Sequence, residues 1–368
     1  MKTGVGLPVL LLIALAGTGC AGERGASDTG VGEADAFRAY ARFEPDDGRT
    51  LLIVGQDKGE MDEYAALDGV ADPAGFMMYT NITTLEGMTA GYRGVGGNDG
   101  GEMDFRYWSD NYPDTVMNLA LYMAGYLDEI NTGTWDGNID DLADLIKASN
   151  KPVFLRIGYE ADGPWNGYEP EPFKLAWQRI VDRFRARGAD NVAYMWHAAA
   201  GFDTYNGAPV ESWYPGDDYV DWIGVSWFGW AETAETPFAS RSAAARETVA
   251  QLAADRGKPL AIAEATPRIY HADDPWTTFH EPLFAWIADH NVKMHAYINQ
   301  NWEAQGMWAG QDWGNSRVQD DPELLARWTA EVNGGRYLGR SETLFAALRF
   351  AETNHPKAPV PAADGDRL

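Results

Sequence analysis

The chain has 368 residues, with 29 Lys and Arg against 55 Asp and Glu, a formal charge of −26 and 45% hydrophobic residues. That balance is globular and excludes a wholly disordered, collagen-like or coiled-coil chain; the acid excess leaves no basic stripe for a phosphate backbone, so no nucleic-acid partner is expected. A single Cys excludes an internal disulfide and a Cys-based zinc site, while 15 Trp and 17 Tyr favour a ligand with flat apolar faces and hydroxyl edges.

Lys2 precedes an apolar run from Val5 to Ala16 and then Gly17-Thr18-Gly19-Cys20. A basic start, a short apolar core and small residues predict a secretory signal over residues 1–20, too short to span a bilayer. The position of Cys20 resembles a bacterial lipobox, although Gly17 stands where that pattern usually has Leu. The expectation is export, lipidation at Cys20 and membrane attachment through that anchor in the bacterial cell envelope, at the outer membrane if the cell is Gram-negative. Residues 21–47, rich in Gly, Ala, Asp and Glu, read as a flexible tether, 48–354 as the folded domain and 355–368 as a loose Pro- and Ala-rich tail.

Within 48–354, eight short apolar runs follow one another: Leu51–Gly55, Gly75–Ile82, Met117–Gly125, Val153–Glu160, Val192–Ala198, Trp222–Phe228, Leu260–Glu264 and Met294–Trp302. Most are nearly continuous in apolar character, as strands buried on both faces should be; Met117–Gly125 fits a helix equally well. Helical spacing fills the intervals at Asp140–Ala148, Glu171–Arg187, Pro237–Ala254, Pro275–His290 and Pro322–Val332, with Gly188 placed to cap the second of these. Strand starts recur roughly every 25–40 residues, the length of a βα unit, so the predicted fold is α/β, a single (β/α)8 TIM barrel. A doubly wound open sheet is the alternative, but no GxGxxG follows the first run.

In such a barrel the chemistry sits at the C-terminal ends of the strands. Run four ends in Glu160 and run seven in Glu264, and two facing carboxyls are the standard equipment for glycoside cleavage: one protonates the leaving oxygen, the other attacks the anomeric carbon or activates water. The structural alternative pairs Glu160 with Arg156 in a buried salt bridge. His197, ending run five, is a donor to Glu264 or to a sugar, or a satisfied core residue. Gln300 and Trp302 end run eight, with Trp302 as a sugar platform. Trp165, Asn166 and Tyr168 follow Glu160 and are expected to touch substrate. Trp108, Trp230, Trp308 and Trp313 are candidates for further subsites, and Gln56, Asp57, Tyr79 and Asn81 for additional hydrogen bonds. The six glycines of Gly91–Gly101 read as a loop forming a wall of the mouth. Asp136–Asp141 lacks the Gly and Glu of a calcium loop and reads as a helix start capped by Asn138 or Asp140. No cofactor and no metal are expected; the partner is a polysaccharide or oligosaccharide.

The segment Pro152–Gly201 (PVFLRIGYEADGPWNGYEPEPFKLAWQRIVDRFRARGADNVAYMWHAAAG) resembles the fourth-strand region of glycoside hydrolase family 26, retaining β/α-barrel enzymes best known as β-mannanases. Arg156, Glu160, Trp165 and the helix around Trp177 carry the likeness, and Trp213–Gly224 (WYPGDDYVDWIG) resembles the family's approach to strand six. The resemblance implies a retaining, endo-acting hydrolase of a β-linked polysaccharide, with Glu160 as acid/base and Glu264 as nucleophile. Arg156, Tyr159, Trp165, Asn166, His197, Trp227, Phe228, Tyr270, Gln300 and Trp302 are the candidate substrate contacts. Two positions depart from the pattern. Tyr159 stands where the family has His, and Phe228 or Trp227 stands where a Tyr steadies the nucleophile, so either another donor such as Tyr270, Tyr297 or His197 serves, or the site works differently. The alternative is a non-catalytic surface glycan-binding lipoprotein on the same scaffold, favoured by the two departures and opposed by the presence of both carboxyls.

Overall fold

A computed structural model of the chain describes residues 40–95, 100–201, 204–229, 238–268, 274–311 and 313–350. The signal, Cys20, most of the tether, Trp230, Tyr270 and the tail from 355 lie outside the described residues.

Eight parallel strands form the barrel: β1 (Thr50–Gly55), β2 (Gly75–Asn81), β3 (Val116–Tyr122), β4 (Val153–Ile157), β5 (Val192–Ala198), β6 (Trp222–Phe228), β7 (Leu260–Thr266) and β8 (Met294–Ile298). Each pairs with its neighbour in chain order, and β8 pairs back to β1, Leu51 opposite Met294, so the sheet closes. The ambiguous third run is thus a strand, held between β2 and β4.

Side chains alternate between two cores. Leu51, Ile53, Met77, Phe154, Met195, Trp222 and Met294 fill the barrel interior. Leu52, Val54, Leu155, Trp196, Ile223 and Ile262 face the surrounding helices. The helix Pro170–Arg187 shows how that outer layer is built. Phe173, Ala176, Trp177, Ile180, Val181 and Phe184 are buried in one stripe, and Gly188 ends the helix at φ 65°, a left-handed conformation open to Gly at little cost. Leu175, apolar and two positions after Phe173, falls off that stripe and is exposed. The polar flank is tied to the preceding helix, Asp136–Ser149, by a ladder in which Arg179 and Arg183 bind Asp136, Arg183 also binds Asp140, and Arg187 binds Asp144. Neither expected cap serves as one: Asp140 is an ion-pair partner, and Asn138 donates to the carbonyls of Ile82 and Thr83 at 2.9 and 2.6 Å.

Residues 40–47, read from sequence as the end of the tether, pack against the barrel. Phe43 and Glu44 are buried. Phe43 meets Phe154 and Phe350 edge to face, and the carbonyl of Arg42 accepts the Trp222 indole N–H at 2.7 Å. With Leu344, Phe345 and Leu348 they join the interior core at the strands' N-terminal side, leaving the opposite end for the site. No helix among the described residues is long and apolar enough to cross a membrane.

Candidate active site

Strand β4 ends at Ile157, and a tight turn follows in which Gly158 and Glu160 both take positive φ, 52° and 54°. A non-glycine residue there carries strain on the order of 1 kcal/mol. Asn166 offsets it by donating to the carbonyls of Tyr159 and Glu160, and the amide N–H of Gly163 bonds the Glu160 carbonyl at 2.9 Å. The turn aims the Glu160 side chain over the barrel mouth, where Oε2 accepts from the Trp165 indole at 2.9 Å and Oε1 from Ser226 Oγ at 2.8 Å.

Glu264 arrives from β7 by a different device. Against β6, Val225 pairs with Ile262 but Ser226 with Glu264; against β8, His295 pairs with Ile262 but Tyr297 with Ala265. Both neighbours thus record one extra residue in β7 at Ala263. Strict alternation from the inward Ala261 would send Glu264 into the helix layer; the bulge turns it inward. Its Oε1 accepts from the Tyr79 hydroxyl at 2.8 Å and forms an ion pair with Arg156. Both bonds fall on Oε1, leaving Oε2 with no hydrogen bond recorded among the described residues.

The two carboxyls border one hollow of about 430 Å³, the scale of a small-ligand site. Tyr79, Tyr122 and Tyr159 line one part, Phe228, Trp302, Trp308 and Trp313 another, with Trp165, Asn166, Gln56, Met103 and Met307 among the remainder. Tyr159 packs on Tyr79 with ring centroids 5.3 Å apart, and Trp302, Trp308 and Trp313 contact one another at 5.4 to 5.5 Å. Val95 and Gly100, from the glycine-rich segment, contribute to the lining.

The environments push the two groups apart in role. Burial, followed by the charge of Glu264, raises the Glu160 pKa to about 8, while the bonds from Ser226 and Trp165 pull the other way. Glu160 therefore holds its proton at neutral pH and can donate it. Burial and the charge of Glu264 push Tyr79 well above an ordinary phenol, so it remains a neutral donor. A protonated carboxyl and an ion-paired carboxylate at one hollow are the pair of groups that acid-assisted nucleophilic displacement requires.

Several residues sit elsewhere than the sequence led one to expect. Arg156 pairs with Glu264, not Glu160. The hydroxyl donor to Glu264 is Tyr79. Tyr297 bonds the Ser316 carbonyl in the outer core, and His197 bonds Ser226 rather than Glu264. Phe228 faces the hollow, whereas Trp227 lies outside the barrel against Trp286 and beneath the Arg246 guanidinium. Gln300 is buried and donates to Asp57, which caps the helix Lys58–Ala65. Tyr168 is buried against Phe173 and its hydroxyl accepts from the Met123 amide N–H. Trp108 is a core residue bonded to Thr115, and Asn81 Oδ1 caps the turn at Thr83 and Thr84. Ser226 and Tyr122 had no sequence signal beyond their place near strand ends. No cluster of three or more His, Cys, Asp or Glu able to hold a metal occurs among the described residues.

The model of glycosyl hydrolase family 26 matches residues 123–303, the stretch that carries both carboxyls. A β-1,3-xylanase from a Vibrio species is 31% identical over 87% of this chain and 73% of its own length, and one from an Alcaligenes species is 30% identical over 86% and 70%. Among solved structures, a family 26 β-mannanase from Bacteroides ovatus superposes with a TM-score of 0.59 at 16% identity over 84% of this chain and 95% of that one, a likeness of fold. The barrel, its paired carboxyls and these matches agree: the chain belongs to glycosyl hydrolase family 26 and is an O-glycosyl hydrolase.

Proposed function

We propose that the enzyme is a retaining, endo-acting β-1,3-xylanase in which Glu160 is the acid/base and Glu264 the nucleophile. The observation that carries the reading is the opposed treatment of the two carboxyls: Arg156 and Tyr79 bind one oxygen of Glu264, while burial keeps the proton on Glu160. In the first step the free oxygen of Glu264 attacks the anomeric carbon, the glycosidic bond breaks, and Glu160 gives its proton to the departing oxygen. In the second, Glu160 takes a proton from water as that water displaces Glu264, whose returning charge is met by Arg156 and Tyr79. The substrate class is supported by the two xylanase relatives and by a largely aromatic lining suited to the apolar faces of a pentose ring. Trp165 beyond β4 and the Trp302 cluster beyond β8 lie across the barrel from each other, as walls flanking a chain would. Export and attachment through a lipidated Cys20 belong to the same reading; a C20A chain is then released in soluble form from the cell envelope.

The test is a panel of β-1,3-xylan, β-1,4-xylan, β-1,4-mannan and β-glucan, with products identified by size and by the anomer first formed. The reading expects β-1,3-xylo-oligosaccharides of mixed length with retained configuration, and no turnover by folded E160Q or E264Q on the polymer. Preferred cleavage of mannan overturns the substrate; inversion, or full turnover by either variant, overturns the residue roles.

A further inference from the structure

We infer that Ser226 and His197 act as a pair of positioning residues for Glu160, with His197 fixing the direction in which the Ser226 hydroxyl donates. The inference rests on the reading of Glu160 as the acid/base. Ser226 Oγ lies 2.8 Å from Glu160 Oε1 and 2.9 Å from His197 Nε2. A serine hydroxyl has one hydrogen. When that hydrogen is directed at the Glu160 carboxylate, the contact with His197 is a hydrogen bond only if Nε2 carries a proton and donates to Oγ. His197 is wholly buried at the end of β5, and its Nδ1 has no partner among the described residues, so the ring's one polar tie among them is to Ser226. Burial, reinforced by the charge of Arg156, lowers its pKa well below the ordinary imidazole range; it is a neutral, single-tautomer donor and not a cation.

The opposite oxygen of Glu160 receives the Trp165 indole N–H, a group that can only donate. Both oxygens thus meet donors of fixed direction, which favour the ionised carboxyl and orient its plane. That is the state the second step needs, when Glu160 works as a base. The groups that raise its proton affinity are Glu264 from β7 and Asp162 from its own segment; Tyr159 and Tyr168 also sense its charge, and Arg156 from β4 faces His197. Without the Ser226 donor, burial and Glu264 act with less opposition. The Glu160 proton is then held to higher pH, and the base step slows.

The experiment compares kcat/KM against pH for wild type, S226A, S226T, H197F, H197Q and the S226A/H197F double variant, with the hydrolysis rate of the glycosyl-enzyme formed from an activated aryl glycoside. S226A is expected to move the basic limb upward by roughly half a unit to one unit and to slow glycosyl-enzyme hydrolysis. H197F is expected to do the same in smaller or equal measure, and the double variant to match S226A alone, because His197 acts through Ser226. S226T and H197Q, which keep a hydroxyl and an Nε donor, are expected to restore the wild-type profile. An unmoved basic limb in S226A or H197F, or effects that add in the double variant, overturns the inference. E160Q in the same assay separates the two levels: turnover of the polymer by E160Q defeats the acid/base reading itself, whereas an inactive E160Q beside an unmoved H197F defeats only the His197–Ser226 support.

Discussion

Replacing Tyr79 by Phe removes one oxygen and leaves the ring that packs on Tyr159. The lost bond, 2.8 Å long, runs from a partly buried phenol to the oxygen of Glu264 that also holds Arg156. A hydrogen bond to a charged group contributes about 1.5–3 kcal/mol, so Y79F should lower the rate of the chemical steps by ~10- to 150-fold. Arg156 remains, which is why the loss stops short of that for E264Q. The defect should be visible in kcat with an activated aryl glycoside, where release of the nucleophile limits turnover and the returning carboxylate lacks one donor. Measured beside it, Y297F should retain near-wild-type activity, since that hydroxyl bonds the Ser316 carbonyl. Wild-type kinetics in Y79F would refute the assignment of Tyr79 as the donor that steadies Glu264.

The proton on Glu160 predicts that kcat/KM is high in the neutral range and falls as pH rises through about 8, when the acid is lost; a profile with no basic limb below pH 10 contradicts this. W165F keeps an aromatic face but removes the indole donor to Glu160; it should raise that limb and cost about tenfold or less in kcat/KM on the polymer, as pH–rate profiles will report. His280 is buried among Trp276, Phe279, Tyr297 and Trp328 with neither ring nitrogen bonded to any of the described residues, and burial lowers its pKa to about 3. Below pH ~6.5 the unfolded chain therefore binds a proton there that the folded chain refuses, and stability drops by about 1.4 kcal/mol per pH unit from this residue. H280F abolishes that contribution, so urea denaturation at pH 6.5, where the unfolded imidazole is already half protonated, and at pH 5.5 should show the variant gaining about 1 kcal/mol on wild type over the interval; a pH-independent difference contradicts the assignment.

The barrel was legible because parallel strands buried on both faces read as continuous apolar runs, and because those runs recur at βα spacing. The same property obscured which face each residue occupies. Trp227 and Phe228 are equally apolar, and only the pleat decides that one meets Trp286 and the other the hollow. Glu160 and Glu264 stood out as charges ending apolar runs, but the means of presenting them did not. The bulge at Ala263 is a register event between three strands, with no local signature in LAIAEAT. The partners of Glu264 come from β2 and β4, 185 and 108 residues away in sequence, so the hydroxyl absent from strand six is supplied by Tyr79 rather than by Tyr297 or His197. A pairing of Arg156 with Glu160 requires one unbroken pleat, which fails because β4 stops at Ile157 and the left-handed turn resets the direction of the next side chains.

The central claim, that Glu264 carries the sugar between the two steps, is tested by trapping that intermediate. Incubation with an activated 2-deoxy-2-fluoro xylo-oligosaccharide, proteolysis and mass spectrometry should locate one glycosyl group on the peptide containing Glu264, with Glu160 unmodified. A label on Glu160, or inactivation with no covalent adduct on Glu264, would contradict the account.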